Sequence, residues 1–444
     1  MQPSPPLHSA SPAPTMPISF AEASSLVSAQ ASAVLADQVL PTAQNSLAEA
    51  LGYTLAAPIV ADRDHPPFPR VTRDGFAVRA QDVSSGTPGT PLRVVGQLRA
   101  GESWPTKRRP VQPGEAVEIM TGAPLPPGAD AVLMVEHVRD VADESGPSGS
   151  IRLVLPLTGR TLTSGDNVVP GGSEARQGQI LVDSGTRLGP EEIALAASCG
   201  LHHLSVYDSP QVAILATGDE LLEQSAIDAA ILPHQIYDSN SHSLAALVQQ
   251  SHGIPLRQRA ARDRREDLAA CIRQGFAAAP LLLLTGGVSM GKYDLVEEVL
   301  AAMGAEFFFT GVRMQPGKPV VFGRLPATGK QAPRYFFGLP GNPVSTMVTF
   351  RVFVAPFLAA MSGERHWQPR IAFAQLAIGV HGKPGLTRFL PARLDTTGNS
   401  PIVTAVKTQG SGDLAANARA NCYLIVPEDC ETLSEQQTVR VLLR

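Results

Sequence analysis

The chain moves between helical and strand spacing of its apolar positions, and the texture shifts along its length. From Ser19 to Leu51 the spacing predicts helix. "SFAEASSLVSAQ" opens with Ser19 and places Glu22 three residues on, a capping-box arrangement, and Pro41 interrupts before a second helical piece, "SLAEALGYTLAAPI". From Pro66, short runs such as "GFAVRA", "LRVVGQL" and "DAVLMVEHV" lie between Pro and Gly turns and predict a β-rich domain. Pro190, followed by Glu191 and Glu192, marks a helix start, where proline needs no amide bond and carboxylates meet the positive end of the dipole. From Gln211 to about Ala360, strands such as "QVAILATG", "PLLLLTGG" and "RYFFGL" alternate with helices such as "DRREDLAACIRQGFAAA". That alternation predicts a mostly parallel sheet covered by helices on both faces. From Arg370, β patterns return and predict a separate small β domain.

Composition narrows the classes. The 444 residues suffice for several domains, and 43% apolar with 17% charged residues is a globular balance. A formal charge of -4 leaves no basic footprint, so nucleic acid is not expected as a partner. Cys199, Cys271, Cys422 and Cys430 show no C-x-x-C spacing, so neither a zinc site nor a disulfide framework is expected, and a reducing, cytoplasmic location fits. No apolar run is read as approaching the about 18 residues that span a bilayer, so no membrane is expected. Residues 1–15, "MQPSPPLHSASPAPT", read as a disordered tail, and Met16 is a second candidate start.

In an open parallel sheet, ligands bind beyond the carboxyl ends of the strands. The loops there are "TGDE" (217–220), "YDSN" (237–240), "ARDR" (261–264), "TGGVSMGKYD" (285–294), "MQPGKP" (314–319) and "LPGNPVS" (339–345). Their glycines allow close backbone approach, and Asp219, Glu220, Asp238, Asp263 and Asp294 offer oxygen to a hard cation. Together they describe a site for a phosphorylated ligand with a divalent metal. Taken singly, each is also what a turn or a helix cap requires. The functional reading rests on their convergence on one sheet edge.

The loop after "LLLL" half-matches two motifs. Gly286 to Lys292 fits the start of a P-loop, but Tyr293, too large for the role, stands where the Ser or Thr hydroxyl must ligate magnesium. Gly287 to Gly291 fits a serine-hydrolase elbow with Ser289 as nucleophile. The glycine pair before Ser289 makes a broad loop where an elbow turns sharply, so Ser289 is better read as a donor to an oxyanion.

"TRDGFAVRA" (72–80), "IMTGAPLPPGADAVLMVE" (119–136), "LATGDEL" (215–221), "QIYDSN" (235–240), "LLTGGVSMGKYD" (283–294), "QPGKPVVFG" (315–323) and "GLPGNPVS" (338–345) occur in that order. Together they resemble the molybdopterin molybdenumtransferases, the MoeA type that includes the E domain of gephyrin. The resemblance runs from about Met16 to the end. It implies an enzyme of molybdenum cofactor biosynthesis that takes adenylylated molybdopterin and molybdate as substrates and releases AMP with Mg2+. Molybdate is a tetrahedral dianion that asks for amides, hydroxyls and cations, so a Cys/His cluster is not expected.

By resemblance, Gly286, Gly287, Ser289 and Asp294 face the diphosphate, magnesium and molybdate, with Asp294 and Glu220 as metal ligands. Lys318 brings positive charge to molybdate on a turn shaped by Pro316 and Pro319. Pro340, Asn342 and Ser345 line the same pocket. Glu220, Asp238 and Asp263 match acidic positions of the pterin-binding domain. Asp74 and Thr121 match catalytic positions of a second domain that reaches the partner's site, so a homodimer is implied. Arg388 and Ser411 match anion contacts of the C-terminal domain. The chain departs from the family where Arg73-Asp74-Gly75-Phe76 replaces the common Met-Asp-Gly-Tyr, and where Gln315 stands for a lysine of some members. Arg313 or Arg73 is the expected compensation.

The implied fold is multidomain α/β plus β. Residues 16–65 with 155–190 form an extended split domain, 66–154 an inserted β-rich domain, 191–362 a three-layer α/β pterin-binding domain with a mostly parallel sheet, and 363–444 a C-terminal β barrel. A molybdopterin adenylyltransferase and downstream molybdoenzymes are the implied partners. A non-catalytic pterin-binding or scaffold protein of the same architecture, an adenylyltransferase, and a serine hydrolase using Ser289 are the alternatives.

Overall fold

The structure is a computed structural model that describes residues 16–84, 90–143, 151–156, 161–222, 231–287, 295–327, 329 and 332–444. The proposed tail, Ser289 and Asp294 lie outside the described residues. The chain divides into two compact units, one built from 1–57, 184–190 and 203–444, the other from 58–183 and 191–202.

Four consecutive leucines make sense only if both faces of their strand are covered. In the first unit, Leu281–Thr285 sits inside a sheet flanked by Gln211–Ala216 and Arg334–Leu339, both parallel to it. Ile254–Arg257 extends the parallel part, while Val321–Leu325 and Glu306–Thr310 add antiparallel strands at the other edge. Leu281 and Leu283 face a core shared with the helices Phe20–Asp37 and Asn240–Gln250, and Leu282 and Leu284 face Arg265–Ala278 and Leu295–Ala302. All four leucines are fully buried, so truncating one to alanine costs about 2–5 kcal/mol.

The expected capping box is present: Ser19 Oγ accepts from Glu22 N at 3.1 Å, and Glu22 Oε2 accepts from Ser19 N at 2.7 Å. The helical reading beyond Pro41 is corrected. Thr42–Ser46 is a strand paired with His203–Tyr207, and the expected helical piece from Ser46 instead runs through turns and isolated bridges at Thr54 and Leu55 to the short strand Ile59–Val60, so long-range pairing overrides local spacing there.

A second correction concerns apolar length. Pro343–Met361 is a 19-residue helical stretch of mean hydropathy 1.7, long and apolar enough by those measures to cross a membrane. Its most apolar window is 78% buried inside the unit, where Phe353 and Phe357 pack on the sheet, as a core helix does. The stretch is not a single regular helix, because Phe350–Val354 forms a π turn within it.

After this helix, Ile371–Leu376, Thr387–Asp395, Ile402–Ala405, Cys422–Val426 and Thr438–Leu443 form a closed barrel: Cys422–Val426 pairs with both Thr438–Leu443 and Thr387–Asp395. The second unit holds a six-stranded half-barrel of order Ala131–Met134, Gly75–Val78, Glu115–Ile119, Leu92–Leu98, Ile151–Pro156, Val138–Asp143. Phe76 and Leu133 turn to one of its cores, and Ala77 and Val132 to the other.

Candidate functional site

Three parallel strands end on one edge of the large sheet, and each exits into glycine or proline. Ala216 leads to Thr217-Gly218, Thr285 to Gly286-Gly287, and Leu339 to Pro340-Gly341. Val321 pairs with Gly338 in the antiparallel strand, so the turn Pro316–Pro319 that precedes it falls on the same edge. Gly286 has φ +86°, and a Cβ there would lie 2.4 Å from the Thr217 carbonyl oxygen, so the turn after the leucines requires glycine.

Two cavities open on this edge. The larger, about 820 Å³, is lined by Thr217, Glu220, Asp263, Gly286, Gly287 and Glu298, among others. Loss of solvent, then the negative charges of Asp219 and Glu220, pushes the Asp263 carboxyl above its ordinary range. Thr217 Oγ1 is buried without a hydrogen-bond partner beside the glycine pair. An all-oxygen donor set of crowded carboxylates and an unsatisfied hydroxyl suits a hard cation with a bound oxyanion.

The second cavity, about 470 Å³, lies between the Pro316–Pro319 turn, Ser345 on the core helix, and the barrel residues Arg388 and Ser411. Lys318 and Arg388 are its cations, and no salt bridge among the described residues neutralises either one. Arg388 Nη1 donates to the His381 carbonyl at 2.8 Å while its buried Nε stays unpartnered. The two cavities share Pro319, Pro340 and Asn342 in their walls.

Residues 18–200 match the family described as MoeA N-terminal region (domain I and II), 213–360 match "Probable molybdopterin binding domain", and 374–443 match the MoeA C-terminal region (domain IV). A molybdopterin molybdenumtransferase of Nostoc sp. is 33% identical over 88% of this chain and 86% of its own length. One from Bacillus subtilis is 31% identical over 90% of this chain and 89% of its own length. The chain belongs to the MoeA family of molybdopterin molybdenumtransferases. It is an enzyme of molybdenum cofactor biosynthesis. Among solved structures, a molybdopterin biosynthesis moeA protein from Pyrococcus horikoshii OT3 has a TM-score of 0.76 at 26% identity, covering 97% of this chain and 100% of that one.

Within that family frame, Glu220, Asp263, Gly286 and Gly287 line the acidic cavity, and Pro316, Lys318, Ser345, Arg388 and Ser411 the basic one. Pro319, Pro340 and Asn342 line both. Asp238 is the exception. It is 5% exposed, accepts from Ser241 N at 2.9 Å and from the Ser241 hydroxyl, and so is committed to capping Asn240–Gln250 instead of facing either cavity. Asp74 and Thr121 meet in the second unit: Thr121 N and Oγ1 donate to Asp74 Oδ1 at 2.7 and 2.9 Å. These bonds hold the exposed Asp74 carboxyl below its ordinary range. Arg313 donates to the Pro17 carbonyl at 3.2 Å and does not line the basic cavity, so it does not stand in for the lysine that Gln315 replaces.

Thr217 and Glu298 are cavity residues that sequence reasoning passed over. Thr217 opens the "TGDE" loop, a signal that was legible, whereas Glu298 reads from sequence as a first-turn acid of Leu295–Ala302. In the second unit Cys199 lies beside His65 and Asp62, across a separation of 134 residues that spacing motifs do not span.

Proposed function

We propose that this chain inserts molybdenum from molybdate into adenylylated molybdopterin, with magnesium-dependent release of AMP. The observation that carries the proposal is the charge division of two adjoining cavities, one acidic with an orphan hydroxyl, the other holding Lys318 and Arg388. Magnesium held by Glu220 and Asp263 would neutralise negative charge on the diphosphate as water attacks the anhydride, which parts into AMP and the pterin's own phosphate. Asp294 is proposed as a further ligand from the family resemblance. The Thr217 hydroxyl and the glycine-pair amides, with Ser289 by resemblance, donate to phosphate oxygens. Lys318 and Arg388 would hold molybdate, with Ser345 and Ser411 completing the wall, and the pterin dithiol would displace an oxo group of molybdate as water when its sulfurs bind molybdenum.

The proposed assembly is a homodimer in which the Asp74–Thr121 pair of one copy serves the cleft of the other. The proposed setting is the cytoplasm, with a molybdopterin adenylyltransferase upstream and molybdoenzymes downstream. The test is single-turnover incubation with adenylylated molybdopterin, magnesium and molybdate. Molybdate-dependent AMP release supports the proposal. Pterin binding by folded protein without AMP release would instead favour a scaffold of the same architecture. Mixing Asp74→Asn with Glu220→Gln chains tests the dimer, because shared sites regain activity that neither variant has alone.

A further inference from the structure

We propose that the second unit carries a zinc site formed by Asp62, His65 and Cys199, separate from the cleft described above. One ligand atom from each of the three lies within 4.8 Å of the others. His65 Nε2 is 3.2 Å from Asp62 Oδ1 and 3.9 Å from Cys199 Sγ. Tetrahedral zinc, with bonds of about 2.3 Å to sulfur and about 2.0–2.2 Å to nitrogen and oxygen, sets such ligand atoms about 3.3–3.6 Å apart. The two separations from His65 Nε2 therefore lie within a few tenths of an ångström of these values, and the carboxylate and sulfur, within 4.8 Å of each other, would close on the ion.

The decisive feature is that both the carboxylate and the sulfur approach the same imidazole nitrogen. In a Cys–His–Asp relay the thiol and the carboxylate engage opposite nitrogens of the ring, each with its own proton. Here one nitrogen faces both: a shared N–H would reach the sulfur only as the long arm of a three-centre bond, at 3.9 Å, whereas a cation among the three donors engages each of them. Thiolate, imidazole and carboxylate together favour zinc over magnesium.

The backbone holds the ligands in place from two directions. His65 N donates to Ala175 O at 2.9 Å and its carbonyl accepts from Ala175 N at 3.1 Å. Cys199 ends the helix Pro190–Ser198, with its amide bonded back to Leu195 O and Ala196 O at 3.1 Å. Cys199 is buried and Asp62 is open to solvent, so a water completes the fourth position from the outer side. Binding converts the Cys199 thiol to thiolate and releases its proton to solvent. The metal then ties the 62–65 turn to the end of a helix far along the chain.

The test uses the full chain, stripped with chelator and reloaded with zinc or cobalt in excess magnesium, which occupies oxygen-only sites. One equivalent of zinc is expected to survive desalting, and cobalt is expected to give a thiolate charge-transfer band. Cys199→Ser should lose the band, and His65→Asn should lose the retained zinc and the zinc-dependent rise in Tm. If Cys199→Ser does not fold, His65→Asn and Asp62→Asn read the same loss. A wild-type chain that retains no zinc, or a cobalt–thiolate band that survives in both Cys199→Ser and His65→Asn, would overturn the proposal.

Discussion

The acidic and basic cavities share three wall residues, and their chemistry is opposite. The acidic one takes its side chains from loops at the carboxyl ends of parallel strands, where short turns bring Glu220 and Asp263 together with the amides of Gly286 and Gly287. The basic one draws Lys318 from the turn that carries the chain from Val312–Gln315 in the barrel sheet to Val321–Leu325 in the large sheet, and Arg388 from the barrel. Crowded carboxylates alone would repel a polyanionic substrate, and an isolated cation pair would attract any anion. Side by side, on the proposed reading, they would let one substrate's phosphates and a second, separate oxyanion occupy neighbouring sites with a cation between like charges.

The division can be broken most severely at the acidic end. Glu220→Gln or Asp263→Asn is expected to lower the AMP-release rate by about 10²–10³-fold while pterin binding persists, as single-turnover kinetics would read. Lys318→Ala sharpens the opposite side: loss of one charge-assisted contact, about 1.5–3 kcal/mol, should raise the half-saturating molybdate concentration by about 10–150-fold. Equal effects of the acidic and basic substitutions on molybdate dependence would dissolve the distinction.

Geometry gives a third test. Gly286→Ala places a methyl group against the Thr217 carbonyl at a positive φ, so thermal unfolding should show a loss of about 1–3 kcal/mol together with weakened activity. Thr217→Val should do the reverse. The buried hydroxyl has no partner to lose, so stability should change by less than about 1 kcal/mol while turnover falls.

The smallest effect is one of pH. A carboxyl whose folded pKa is raised destabilises the fold as pH rises through its titration, and Asp263 is such a group. Magnesium held there, as proposed, would relieve that cost and compete with the proton. Calorimetric magnesium affinity should therefore weaken as pH falls through the raised Asp263 range, with molybdate affinity at Lys318 little changed over the same interval.

Local chemistry made much of this legible. The capping box at Ser19, the proline-led helix at Pro190 and the buried leucine strand follow from residues adjacent in sequence. The cavity loops were legible because glycine or proline after a β-type run marks a strand's carboxyl end. What was hidden depends on distant partners. Thr42–Ser46 looks helical until His203–Tyr207 pairs with it. Asp238 has the residue type of a ligand, and only its buried bonds to Ser241 reveal a cap. Thr217 becomes notable through the bond it lacks, and Cys199 finds His65 only through the fold.

The most direct test is single-turnover AMP release measured across molybdate and magnesium concentrations in the wild type, Glu220→Gln and Lys318→Ala. The account predicts a crossed result: Glu220→Gln lowers the plateau and shifts the magnesium dependence, and Lys318→Ala shifts only the molybdate dependence. Variants that shift both dependences alike, or neither, would contradict the assignment of the two cavities.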